Sequence, residues 1–236
     1  MSTETARLQL PLLQSAQAQK HVTVNEALMR LDGMANIVLE STSTLNPPEA
    51  VIEGQCWGVP LDASGAWARR SGKIAIGANG GWIFVDPTRG LRAFVADTGL
   101  QAIHTGQGWF HGGSTLGATG AGLAHGMADD EVTVGTGTVF DTRIAIPANA
   151  MVIGAVARVT QTLTGSLQSW RLGSPGSDNR FGQGLGKAAG SWARGMLGTP
   201  MTYYSDSTLI MTAEGGMFDG GNVKLAVHWM ELRLPD

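Results

Sequence analysis

The second half of the chain carries a dense set of aromatic, amide, carboxylate and guanidinium side chains that suits the recognition of sugars. The set comprises Trp170, Arg171, Asp178, Asn179, Arg180, Trp192, Tyr203, Tyr204 and Asp206. Ring faces stack on the apolar faces of sugars, while Asn, Asp and Arg form planar, often bidentate hydrogen bonds to vicinal hydroxyls or to carboxylates. A structural interpretation stays open, in which the two tryptophans are core residues and Asp178-Asn179 is a turn.

Catalytic and metal-binding patterns are weak by comparison. The five histidines are scattered and the single cysteine, Cys56, has no partner, so we predict no metal site and a buried thiol. The glycine run 182–187 lacks the spacing of a dinucleotide loop, and no cofactor is predicted. The acidic run 129–131 is interpreted as solvated. We therefore expect a protein that is not an enzyme and has no catalytic residues, with hydrolysis of glycans by acids such as Asp178 or Asp206 as the alternative.

The overall charge excludes several classes of partner. The chain has a net charge of −3, with 16 Lys and Arg residues against 19 Asp and Glu. This balance gives no strong field toward nucleic acid or anionic lipid, so neither nucleic acid nor membrane is predicted as a partner. The start of the chain lacks a secretory signal pattern, and no run approaches about 18 apolar residues. We expect synthesis and assembly in the cytoplasm.

The distribution of glycine divides the chain. Only Gly33 of the 34 glycines lies in the first 53 residues. Since glycine disfavours helices and is tolerated at turns and bulges, a helical front and a mainly β body are predicted. The expected order is an N-terminal helical anchoring segment (1–53), a small antiparallel β module (54–112), a Gly/Ala-rich connector (113–130) and a C-terminal β-sandwich or jelly-roll-like domain (131–236).

A helix is predicted from Thr23, which forms a capping-box pattern with Glu26, and the run 46–48, Asn-Pro-Pro, must end it. Apolar residues recur along it at separations of 4, 3, 4 and 3, on one seam: Val24, Leu28, Leu31, Ala35 and Val38. Two interpretations of the seam stay open. The helix packs on its own domain, or it forms a short self-associating bundle, with a trimer favoured.

Turn signals predict the strands that follow. Asn79-Gly80 lies between two apolar runs, so a hairpin is predicted there, and a second one joins 91–96 to 101–104. Tryptophans that follow glycines are interpreted as strand starts. In the C-terminal body the predicted strands are 139–146, 151–160, 167–172, 201–204, 208–213 and 223–234.

The segment from Leu10 to Leu28, with its core Ala-Gln-Lys-His-Val-Thr-Val-Asn-Glu-Ala-Leu, resembles the opening of a family of uncharacterised-function domains of bacterial prophages and gene transfer agents. The Gly-Gly-Trp and Gly-Gln-Gly-Trp elements at 80–82 and 106–109 fit the same family, so the resemblance covers about residues 7 to 113. The C-terminal body is similar to the tail that follows this domain in such proteins.

This resemblance implies a structural protein of a phage-like particle. Most specifically it implies the head spike or fibre of a gene transfer agent, a homo-oligomer that contacts other particle proteins and attaches to the capsular polysaccharide of recipient cells. Release would then follow lysis. A purely architectural role in the head or tail is the other interpretation, and the family supplies no catalytic residues.

Overall fold

The structure, a computed structural model, describes residues 3–14 and 20–236. Over these residues the chain is mainly β, with 16 strands and one α-helix, which confirms the predicted fold class. It divides into two compact units, Met1–Gly122 with Pro235–Asp236, and Leu123–Leu234. The predicted helical segment and β module thus lie in one unit, because the helix contributes to the same core as the strands.

The first unit contains one seven-stranded sheet. Its strand order is β4-β3-β2-β1-β5-β6-β7, in which β1 is parallel to β2 and β5, and the other pairs are antiparallel. In chain order the elements are α1 (Lys20–Met34), β1 (Val38–Leu39), β2 (Cys56–Gly58), a 3-10 helix (Gly65–Trp67), β3 (Ile74–Ala78), β4 (Gly81–Val85), β5 (Arg92–Val95), β6 (Leu100–His104), β7 (Trp109–His111) and β8 (Gly113–Leu116).

Both predicted hairpins are confirmed. Strands β3 and β4 pair through Asn79 and Gly80, whose φ angles of 52° and 70° are the left-handed values that a tight hairpin turn requires. Strands β5 and β6 form the second hairpin. Trp67 departs from the prediction because it lies in the 3-10 helix and is fully buried, with ring centroids 5.7 Å from Trp57 and 5.2 Å from Trp82.

The predicted helical seam is interrupted. Helix α1 begins at Lys20, so Thr23 lies inside it and the capping-box prediction is wrong; Glu26 instead pairs with Arg30 at 2.8 Å. The helix ends at Met34, since Asn36 adopts a left-handed φ of 45°. Two of the five seam residues, Ala35 and Val38, therefore lie beyond the helix, and Val38 belongs to β1. Of the three seam residues within the helix, Leu28 is half-buried, whereas Val24 (41%) and Leu31 (55%) are exposed.

A buried carboxylate holds the N-terminal segment against α1. Asp32, which is 2% exposed, accepts hydrogen bonds from the Thr5 hydroxyl (2.7 Å), the Leu8 amide (2.7 Å) and the Arg7 amide (3.1 Å). The Arg7 guanidinium also donates to the Asp32 and Gly33 carbonyls at 2.9 and 3.0 Å. A buried charge needs such partners. Nothing in the spacing of the sequence pointed to this interaction.

The second unit is a sandwich of two antiparallel sheets. One has the order β10-β15-β12-β13, and the other contains β14-β11-β16-β9. The core between them includes Trp170, Leu172, Met211 and Phe218. The strands are β9 (Gly122–Thr133), β10 (Val139–Ile146), β11 (Met151–Gly165), β12 (Ser169–Ser174), β13 (Ser177–Leu185), β14 (Trp192–Thr202), β15 (Ser207–Glu214) and β16 (Phe218–Arg233).

The sequence-based boundaries fail where glycine interrupts the apolar pattern. The stretch 113–130, predicted as a connector, contains β8 and most of β9. Glycine is required inside β9 because a Cβ atom at Gly126 would lie 2.2 Å from the indole of Trp229. Strand β13 was missed altogether, and of β14 only the last two residues, 201 and 202, were predicted as strand.

The contact between Gly126 and Trp229 gives a test of the sandwich. The variant Gly126→Ala should lose about 1–3 kcal/mol of unfolding free energy, because the added methyl group overlaps a buried indole. Denaturant unfolding of the full chain measures the loss. Gly198→Ala is the matched control, since a Cβ there meets no atom within 4 Å, and equal stabilities of the two variants would contradict the packing described.

Candidate functional site

The structure distributes the nine candidate sugar-binding residues over several places. Trp170 is 1% exposed and its indole nitrogen donates to the Gly186 carbonyl at 3.0 Å, so its ring lies in the core and cannot stack on a ligand. Tyr203 is 8% exposed, and its hydroxyl bonds to Ser174 at 2.9 Å. For Trp170 the structural interpretation therefore holds, and Tyr203 also belongs to the core.

Arg171 and Asp178 belong to an ion-pair network on the outer face of the sheet β10-β15-β12-β13. The Arg171 guanidinium donates to Glu214 at 2.8 Å and to Asp178 at 3.1 Å. Glu214 also accepts from the Ser169 hydroxyl at 2.6 Å and the Gly184 amide at 2.8 Å. The hydrogen bond from Ser169, followed by those from Arg171 and Gly184, lowers the pKa of Glu214 to about 2. These groups therefore stabilise each other, and Arg171 and Asp178 have a structural role that their residue types did not reveal.

Four of the nine residues line one groove at an end of the sandwich, which we call the end groove. It has a volume of about 910 Å³ and is formed where the β10–β11 loop, the β12–β13 turn and the β14–β15 turn meet. Among the residues that line it are Arg180, Tyr203, Tyr204 and Asp206 together with Ser174, Pro147, Pro175, Ser205, Ser207 and Thr208.

Hydrogen bonds between two loops hold the end groove in shape. Asp206 accepts from the Ala148 amide at 2.9 Å, and backbone bonds join Asn149 to Tyr203 (2.6 Å) and Tyr203 to Ala150 (3.0 Å). The second carboxylate oxygen of Asp206 has no hydrogen-bond partner among the described residues. It can therefore accept from a ligand hydroxyl without breaking the contact that positions it.

The end groove combines the groups that sugar recognition uses. The Tyr204 ring is 86% exposed, so its face is open for stacking. The Arg180 guanidinium lines the groove with its Nη1 2.6 Å from the Met201 sulfur, and its buried Nε has no partner among the described residues. The part of the guanidinium that lines the groove can donate to a carboxylate or hydroxyl oxygen of a ligand.

Trp192 and Asn179 lie outside the end groove. Trp192 begins β14 and is 65% exposed; it lines a separate groove of about 700 Å³ on the outer face of β14-β11-β16-β9. Asn179 lies on β13, where it is exposed and donates to Gln183 at 3.1 Å. The pair Asp178-Asn179, a turn in the structural interpretation, is thus part of strand β13, and the two side chains have different partners.

The cysteine and the acidic run, the other residues considered for chemistry, both have structural surroundings. Cys56 is fully buried, as predicted, and burial raises the pKa of its thiol to about 11. Within the described ranges no cluster of three or more His, Cys, Asp or Glu residues could hold a metal ion. No helix among those residues is long and apolar enough to cross a membrane. The acidic run 129–131 lies on β9, where Glu131 accepts from Thr160 at 2.6 Å and pairs with Lys224 at 3.7 Å.

Comparison with known proteins finds one domain family that matches part of the first unit. Residues 24–110 match a domain family described as protein of unknown function (DUF2793), which covers most of the first unit. No curated protein matches the chain. Among solved structures, a chain of the cyanophage Pam1 capsid asymmetric unit is similar over 50% of this chain and 91% of its own length, with 17% identity and a TM-score of 0.37.

The Glu214 network predicts a pH dependence of stability. Because folding lowers the pKa of Glu214 from 4.5 to about 2, its contribution is complete above pH 4.5 and is lost as the pH falls toward about 2. The Glu214→Gln variant should therefore be less stable than the wild type near neutral pH, and the difference should shrink across that window. Denaturant unfolding between neutral pH and pH 2 measures it.

The control for this measurement is Asp129→Asn, which removes an exposed carboxylate of the same unit that has no hydrogen-bond or ion-pair partner among the described residues. Its stability should stay close to that of the wild type throughout. A Glu214→Gln difference that persists unchanged at pH 2 would contradict the network.

Proposed function

We propose that this chain is a structural protein of a phage-like particle, specifically the head spike or fibre of a gene transfer agent, and that it attaches the particle to capsular polysaccharide of a recipient cell. The particle assignment is supported by the resemblance of residues 10–28 to domains of prophages and gene transfer agents, and by the domain match over 24–110. The attachment is carried by one observation, the end groove with its exposed Tyr204 ring.

Binding at the end groove would proceed by stacking and hydrogen bonding. The face of Tyr204 packs on the apolar face of one sugar ring, which orients its hydroxyls toward Asp206 and Arg180. The carboxylate accepts from a hydroxyl pair, and the guanidinium donates to a ring or acid oxygen. One shallow site of this kind binds weakly, so a particle that carries many copies gains its retention from multivalency.

As formed by the described residues, the end groove lacks the pair of carboxylates that cleavage of the polysaccharide requires. Glycoside hydrolysis uses two carboxyl groups roughly 5–10 Å apart across the scissile bond. Among the residues that line the end groove, Asp206 is the single carboxylate, and Asp178 is paired with Arg171. We therefore propose an attachment protein that is not an enzyme, with capsule depolymerisation as the alternative that a time-dependent fall in capsule viscosity would reveal.

The test of the proposed function is binding of the full chain to an array of bacterial capsular polysaccharides. We expect binding to a subset of them, and Tyr204→Ala should weaken it roughly tenfold, since the loss of a stacking face costs about 1.4 kcal/mol. The control is Leu232→Ala, which truncates a similarly exposed side chain (78%) outside the groove. Absence of binding to every capsular sugar would contradict the attachment role.

A study of particles that lack the protein distinguishes an attachment role from an architectural role. Under the proposed function they assemble, package their contents and fail to adsorb to encapsulated cells. An architectural protein of the head or tail would leave few intact particles when deleted. Normal adsorption by assembled particles without this chain would contradict the proposal, whatever the array shows.

The proposed spike is a homo-oligomer, with a trimer favoured, that contacts a spike base or the capsid. The exposed apolar residues Val24 and Leu31 lie seven positions apart on α1, so they share one helix face that another copy could cover. Sedimentation of the full chain at micromolar concentration should show an oligomer that Leu31→Ser shifts toward the monomer. A wild-type monomer under these conditions would contradict self-association through α1.

A further inference from the structure

We propose that the outer face of strands β14 and β11 is a second sugar subsite, one that selects carboxylated sugars such as uronates. The surface consists of Trp192, Arg158 and Arg194 and is called the Trp192 face. It lies outside the end groove, on the broad face of the sheet rather than at the end of the sandwich. The proposal rests on the proposed function, because it assumes that the second unit binds a polysaccharide.

Strand register brings the three side chains together. Trp192 on β14 is directly opposite Arg158 on β11, so both side chains project from the same face, with Cβ atoms roughly 5 Å apart. Arg194 follows Trp192 by two residues on β14, which places it on that face about 6.8 Å along the strand. All three residues are exposed. The indole is therefore flanked by two guanidinium groups, one across the ladder and one along it.

The two arginines are free to bind a ligand. Neither Arg158 nor Arg194 forms a hydrogen bond or an ion pair with any of the described residues. A third cation, Lys224, is opposite Arg158 on β16 and is paired with Glu131 at 3.7 Å. Guanidinium groups bind carboxylates in a bidentate geometry, which an ammonium cannot do. The free positive charge on this surface therefore fits a carboxylate.

The position of the acids limits where that carboxylate can bind. Asp129, Asp130 and Glu131 line the same groove, but they lie on β9, two strands beyond β11 in the sheet order. The groove is thus positive on its β14–β11 side and negative on its β9 side. A ligand with one carboxylate per sugar can place it over the arginines and direct neutral hydroxyls toward the acids.

The same asymmetry disfavours nucleic acid as the occupant. A nucleic-acid strand carries a phosphate on every nucleotide, and such a backbone would approach the β9 carboxylates as it crossed the groove. The chain as a whole has a net charge of −3, which gives no long-range attraction to phosphate. Spaced carboxylates beside an apolar sugar face match the Trp192 face better.

The experiment measures binding of the full chain to three probes: alginate oligomers, which are uronates, dextran oligomers of equal length, which are neutral, and a single-stranded DNA oligonucleotide. We expect alginate to bind at least about tenfold more tightly than dextran, with an affinity that falls as salt is added. Trp192→Ala and the double variant Arg158→Gln, Arg194→Gln should each remove most of that preference, while thermal melting stays unchanged.

The control is Arg143→Gln, which removes an exposed arginine from β10, in the other sheet, and should leave the preference for alginate intact. Binding that survives the Trp192 and arginine variants but is lost in Tyr204→Ala would overturn this inference and leave the proposed function standing. Absence of binding to these sugars and to the whole capsular array would overturn both. DNA binding as tight as alginate binding would also overturn the uronate assignment.

Discussion

The second unit depends on the alternation of side chains along its strands, which closes two sheets over one core. In a strand, neighbouring residues project to opposite faces, so each inward position has an outward neighbour. Trp170 on β12 is inward and Arg171 outward, and in the turn after β14 Tyr203 is buried whereas its neighbour Tyr204 is 86% exposed. Adjacent residues thus have opposite roles. The buried aromatic side chains form part of the core, and the exposed aromatic side chains are the ones that a ligand can contact.

The side chains at the outward positions are of two kinds: some are paired with one another, and others are exposed without a partner among the described residues. On the sheet β10-β15-β12-β13, Arg171, Asp178, Ser169 and Glu214 satisfy one another, so this outer face is stabilised by its own charges. At the end groove and on the Trp192 face, by contrast, Tyr204, Trp192, Arg158 and Arg194 are exposed without such partners. Surface ion pairs lower the attraction of a face for ligands, and free guanidinium groups beside an open ring raise it.

Sequence patterns correctly predicted the elements that are determined by residues close together in the chain. The Asn79-Gly80 turn placed its hairpin correctly, and the alternating run Val139–Ile146 matched β10 at both ends. Patterns failed where a distant residue decides the outcome. Glycine in β9 is explained by Trp229, more than 100 residues away. The Asp32 contacts join residues more than 20 positions apart.

The sequence predicted some of the residue types of the candidate site, but it did not predict which of these residues lie together. Residue types identified Tyr204, Asp206 and Arg180, and folding brings them to one groove; Trp192 was also identified but belongs to another surface. Glu214 was missed as the partner of Arg171 because strand pairing between β12 and β15, more than 40 residues apart, creates the contact. Arg158 was missed because only the register of β11 with β14 places it beside Trp192. Arg194 was missed because the first part of β14 was not predicted as a strand.

The central claim, that the open aromatics and not the buried ones contact the polysaccharide, is tested most directly by NMR of the isotope-labelled full chain titrated with alginate oligomers. The account predicts shifts of the Tyr204 and Asp206 amides at the end groove and of the Trp192 indole, with an unchanged Trp170 indole. Shifts confined to other surfaces, or no shift at saturating sugar, would contradict it.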